Sequence, residues 1–197
     1  MPSRRVRAVI STLVLAVTFL GGCSIVPVHS NLSLSSPGTP QKTITELRTQ
    51  TVDLLNDAIK ATGAPTGWLL STAPPQVRWE GDVNKTRLRT CSTVGAEESF
   101  QMTAVIHHEP LGEPHATAKI LAKHWKPQGF AVKTVIDWTK GDYIVVEIAA
   151  ERADGVSYDA LVNTETIAIH AYSECSTDPS FETWIHRDDP PEEIPTP

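Results

Sequence analysis

Apolar positions along the chain fall into two helical stripes and a series of alternating runs. Thr43-Ile44-Thr45-Glu46 has the form of a capping box, with the Thr43 hydroxyl accepting from the backbone at Glu46 and the Glu46 carboxylate reaching back. Behind it Ile44, Leu47, Leu54, Leu55, Ala58 and Ile59 recur on one face, and Gly63 supplies a left-handed stop, so the spacing predicts a helix over 44–62. Phe100, Met102, Ala104 and Ile106 alternate with Gln101, Thr103 and His107, the period of a half-buried strand. Pro114 suits the first position of a second helix, 114–126, whose apolar side is Ala116, Ile120, Leu121 and Trp125 and which Pro127 and Gly129 end. Four strand-like runs follow, at Phe130–Trp138, Tyr143–Glu151, Val156–Val162 and Thr166–Ser173. Lys140-Gly141-Asp142 and Ala153-Asp154-Gly155 supply the turns of antiparallel hairpins between the first three.

Strands joined by tight turns pair antiparallel, and two amphipathic helices must bury their apolar sides against that sheet. The expected fold class is therefore α+β, a two-layer sandwich of two helices packed on a mainly antiparallel sheet, spanning residues 43–176. Between 64 and 90, paired prolines and many polar residues leave room only for short strands around Trp68 and Trp79. Residues 177–197 lose the period and end in an acidic, proline-rich stretch that reads as a disordered tail. Residues 23–42 are rich in Ser, Pro and Asn, and read as a flexible tether.

Residues 1–22 have a different character. A basic start with Arg4, Arg5 and Arg7 precedes the apolar run Ala8–Leu20, too short to span a bilayer and of signal-peptide length. Leu20-Gly21-Gly22-Cys23 then resembles the bacterial lipobox, whose small residues let a peptidase bind the extended backbone ahead of the acylated cysteine. The expectation is cleavage before Cys23, diacylglycerol and further acyl chains such as palmitate on that thiol, and anchorage on the extracytoplasmic face of a cell membrane. Several acyl chains hold stably, because each buried methylene contributes about 0.8 kcal/mol. Ser3-Arg4-Arg5 hints at twin-arginine export, but Arg7 and Ala8 stand where that signal wants apolar residues, which favours the general secretory route.

Losing residues 1–22 removes three arginines and no acids, taking the formal charge from −6 to −9. Nucleic acid and anionic lipid are poor partners for that balance. Of three cysteines, Cys23 is committed to lipid, and outside the membrane the pair Cys91 and Cys175 is most simply a disulfide.

Candidate chemistry is sparse. His107 and His108 are adjacent on a strand and point to opposite faces, and His115 and His124 emerge on opposite sides of their helix, so neither pair chelates one ion; only His170 could join one of them from another strand. His108 continues the apolar face of its strand and falls at the rim of the core. Glu97-Glu98 precedes that strand, while Glu147 and Glu151 share a strand face about 13 Å apart, too wide for a paired acid and base. No phosphate loop, nucleophile elbow, zinc-protease helix or Ser-x-x-Lys pair is present, so no catalytic residue, metal ligand or cofactor is assigned. The five tryptophans are spread along the chain, which suits packing better than one sugar-binding surface.

With the lipobox, the N-terminal helix, the Trp-containing segment leading to Cys91, the strand-helix-strand block and the closing Tyr172-Ser173-Glu174-Cys175, the chain resembles the actinobacterial LppA-type lipoproteins across nearly the whole mature domain. The resemblance implies a membrane-anchored envelope protein with a disulfide and carries no activity. The reading is a binding or structural module of the cell envelope, with an envelope protein or cell-wall component as partner. Two alternatives stay open: a cell-wall hydrolase or transferase with an atypical site joining His108, His170 and a carboxylate, and a carrier of a lipid or small apolar ligand, marked by a large apolar cavity between the layers.

Overall fold

The computed structural model describes residues 41–73, 75–91 and 98–185, so the signal segment, Cys23 and nearly all of the tether lie outside the described residues. Helix α1 runs Ile44–Thr62. Its capping box closes as the sequence predicts: Thr43 N donates to the Glu46 carboxylate at 2.8 Å, and Glu46 N donates to Thr43 Oγ1 at 3.3 Å. Gly63 ends the helix at φ 74°, a backbone that glycine adopts without a Cβ clash. Helix α2, Pro114–Trp125, is capped by Glu113, whose carboxylate accepts from His115 N at 3.0 Å and Ala116 N at 2.7 Å.

The strands are β1 (Leu69–Ser71), β2 (Val77–Arg78), β3 (Arg87–Thr90), β4 (Phe100–His108), β5 (Ala131–Lys140), β6 (Tyr143–Glu151), β7 (Ser157–Asn163) and β8 (Ile167–Tyr172). They form one antiparallel sheet in the order β2-β1-β4-β8-β7-β6-β5, with β3 also pairing β4. The last four strands are the expected meander, and the last of them returns beside β4. Both long helices lie on one face. Leu54, Leu55, Ala58 and Ile59 of α1 and Ala118, Leu121 and Trp125 of α2 share a core with Ala104, Ile106, Ile148, Ala160 and Ile169 of the sheet. This is an α+β fold with helices packed on an antiparallel sheet.

The centre of the layer interface is aromatic. Trp125 stacks on Tyr158 at 4.5 Å between ring centroids, Phe130 tilts against the same ring at 5.2 Å, and the buried Tyr158 hydroxyl donates to the Leu54 carbonyl at 2.9 Å. Each such side chain contributes roughly 1.5–3 kcal/mol by leaving water. Cys91 and Cys175 are joined by a disulfide, with Cα atoms 6.3 Å apart and a sequence separation of 84. Closing a loop of that size stabilises by roughly 4–5 kcal/mol in the chain-entropy model. The bond ties the end of β3 to the chain just beyond β8, across β4.

Two elements differ from expectation. Strand β3, Arg-Leu-Arg-Thr, has one apolar position and hence no alternation to read; pairing with β4 and the disulfide at its end hold it. The domain also continues past residue 176, into the expected tail: helix α3, Ser180–Ile185, buries Phe181 against Ile44, Leu47 and Met102. Phe181 stacks on Phe100 at 5.4 Å, so one aromatic anchor orders a segment whose average composition is polar.

Candidate functional site on the open sheet face

Because strand side chains alternate, the sheet's second face is the register partner of the buried one, and neither long helix covers it. One row across it is Ile136, Glu147, Leu161, Ala168 and His107; the next is Lys133, Ala149, Asp159, His170 and Val105. A third runs Ala131, Glu151, Ser157, Tyr172, Thr103 and Arg87, and Arg89 lies beyond it opposite Gln101. The two ends of the face differ in chemistry.

Toward β5 the face carries exposed apolar side chains among Lys133, Glu147 and Glu151. Ile136, Trp138 and Leu161 are 41%, 48% and 36% exposed, and Tyr143 meets Trp138 edge-on at 6.2 Å. The other four tryptophans are placed differently: Trp68 and Trp125 are buried, Trp79 is half-buried and donates to Asn56 at 3.1 Å, and half-buried Trp184 lies under the Arg48 guanidinium. A bulge between Thr134 and Ile136 switches the alternation of β5, leaving Val135 exposed as well.

Toward β3 the face carries a chain of hydrogen bonds. Thr103 Oγ1 lies 3.0 Å from the Ala171 carbonyl and 2.6 Å from His170 Nε2. Burial holds the His170 imidazole below its ordinary range. Its Nδ1 lies 2.8 Å from the Tyr172 hydroxyl, which also hydrogen-bonds Asp159. Burial pushes the Tyr172 phenol up to about 12, so it stays a donor. Arg89 completes the chain with its guanidinium 5.3 Å from the centre of the Tyr172 ring. Asp159 faces the same phenol and stands opposite His170 on β7.

The chain joins β4 to β8 and sets the Tyr172 ring beneath the Arg89 guanidinium of β3.

Other residues singled out in the sequence are dispersed. His107 shares the face with His170, and burial lowers it too. His108 points the other way, at the rim: its ring nitrogens lie 2.9 Å from the Glu109 carbonyl and 3.0 Å from that of Thr66, and its ring packs on Trp68 at 5.0 Å. Gly67 makes this packing possible, since a Cβ there would sit 2.8 Å from His108 Nε2. His108 and His170 therefore do not meet. His115 bridges Glu113 at 2.8 Å and Asp137 at 3.0 Å, and those hydrogen bonds, Glu113 first, raise it. His124 pairs with Asp57 at 2.8 Å on the opposite side of α2. Glu151 pairs with Lys133 at 3.4 Å, apart from Glu147. Glu97 lies outside the described residues, and Glu98 is exposed. Among the described residues, no three of His, Cys, Asp and Glu gather as metal ligands would, and no helix is long and apolar enough to cross a membrane.

Sequence reading overlooked Thr103, Asp159, Arg87, Arg89 and Tyr172 as a group. Their only linear signal is the two-residue spacing of Arg87 and Arg89 on one strand, and the register of β7, β8, β4 and β3 assembles the rest.

No protein-family model matches the chain, and no curated protein matches it. Among solved structures the chain is similar to a DUF4853 family protein from Actinomyces odontolyticus ATCC 17982, with a TM-score of 0.52 over 79% of this chain and 78% of that one. Sequence identity is 15%. The likeness is one of fold. It places the architecture in an actinobacterial protein and carries no activity with it.

Proposed function

We propose that this protein is a lipid-anchored binding module of the cell envelope, cleaved before Cys23, acylated there, and held on the extracytoplasmic face by the tether of residues 23–42. In this reading it has the LppA-type layout, and the open sheet face is its contact surface for an envelope protein or cell-wall component. The observation that carries the reading is the state of that face. Ile136, Trp138 and Leu161 stay exposed on a wide sheet surface, next to a polar chain fixed by burial. Large apolar side chains left exposed around a charged one, Glu147, are a common mark of a contact site.

Retention on isolated actinobacterial envelope fractions tests this. The wild-type chain should be retained, and Leu161→Glu and Ile136→Glu, both at exposed positions, should each weaken retention by about tenfold, equivalent to about 1.4 kcal/mol. Retention unchanged in both variants would remove the open face from the account.

A further inference from the structure

We propose that the β3 end of the open face is an anion-binding site in which Arg87 and Arg89 together hold one oxyanion, a phosphate or carboxylate group carried by the envelope ligand. The source of that anion rests on the function proposed above; the site itself rests on geometry alone.

The two arginines alternate with Leu88, so both point to the open face. Two residues along a strand is a separation of about 6.5 Å, a gap that one oxyanion fills between two guanidiniums. Among the described residues, neither Arg87 nor Arg89 has a carboxylate within 4 Å, although the chain as a whole is acidic at −6. Asp159 and Arg89 both hydrogen-bond the Tyr172 phenol, without an ion pair within 4 Å between them. Arg87 and Arg89 thus place two guanidiniums side by side on one face of one strand.

Arg89 is also held in place before any ligand arrives. Hydrogen bonds run from Ala171 through Thr103 and His170 to Tyr172, and the chain ends at the ring beneath the Arg89 guanidinium, which also hydrogen-bonds the phenol. The disulfide locks β3 over β4 and the end of β8, which fixes the backbone carrying both arginines. A guanidinium held this way loses less rotamer freedom on binding, and its planar fork matches the geometry of carboxylate and phosphate oxygens. Tyr172 is then a positioning residue.

Titration of the full chain with inorganic phosphate and with acetate, followed by calorimetry, tests the site. Saturable binding is expected for one of them at least, weakened about tenfold in Arg87→Gln and in Arg89→Gln. Tyr172→Phe should weaken binding and also flatten its dependence on the Arg89 substitution, which a purely structural role for the phenol would not do. Lys119→Gln, which removes an exposed charge on α2, should bind as the wild type does. Preference for phosphate would assign a phosphoester ligand, and preference for acetate a carboxylate one. Non-saturable binding of both, equal affinity in the two arginine variants and the wild type, or an equal loss in Lys119→Gln would overturn the proposal. These titrations need no envelope, so their failure would leave the retention experiment standing, and the reverse holds too.

Discussion

Burial lowers the pKa of His170, and that has a consequence for stability. Its folded-state value lies below that of the unfolded chain, so on acidification the unfolded state takes up the proton first. The stability it contributes is complete above about pH 6.5 and is lost as pH falls through the ordinary histidine range. His107 is lowered by burial and acts in the same sense. His115 is raised by Glu113 and Asp137 and acts in the opposite sense, favouring the fold at low pH, but it is exposed and screened by solvent. The thermal midpoint should therefore drop between pH 7 and pH 5 in the wild type, and the drop should shrink in His170→Gln. An equal drop in the variant would show that other groups set the acid limit. Of this network only the alternation of β4 was legible in the sequence. Tyr172 lies two residues from His170 on the same strand, but Thr103 comes from β4, 67 residues away, and no local pattern announces it.

Helices α1 and α2 and the β5–β8 meander were readable because each carries its own instructions: a capping box and terminal glycine for α1, Pro114 for α2, and glycine turns between β5, β6 and β7. Strand β3 and helix α3 were not, because each depends on one distant contact. For β3 that contact is the disulfide with its pairing to β4. For α3 it is Phe181, seated in a small second core with Ile44, Leu47 and Met102. Phe181→Ala should cost about 3–5 kcal/mol if α3 is integral to the fold, and it should open the chain beyond Ser176 to limited proteolysis. A variant as stable and protease-resistant as the wild type would mean that α3 contributes nothing. The position of β4 between β8 and the β1 and β3 edge was also beyond local reading, since the choice of neighbour for a strand is made by the whole sheet.

Taken together, the molecule has one covered face and one open face. The helices and the Trp125–Tyr158 stack build the covered side. The open side carries exposed apolar side chains at β5 and β6 and a cationic end at β3, an arrangement suited to an elongated amphiphilic partner rather than to a small enclosed substrate. Acyl chains on Cys23 would keep such a face close to the bilayer and to the wall above it. The proposed place of this face at the cell envelope depends on anchorage at Cys23. Intact mass of the membrane-extracted protein, unreduced and then reduced and alkylated, with Cys23→Ala alongside, examines that dependence. The account predicts a mass matching cleavage before Cys23 plus acyl chains, two alkylated thiols only after reduction, and no acylated species in the variant. An unacylated wild-type protein, or free thiols at Cys91 and Cys175 before reduction, would contradict it.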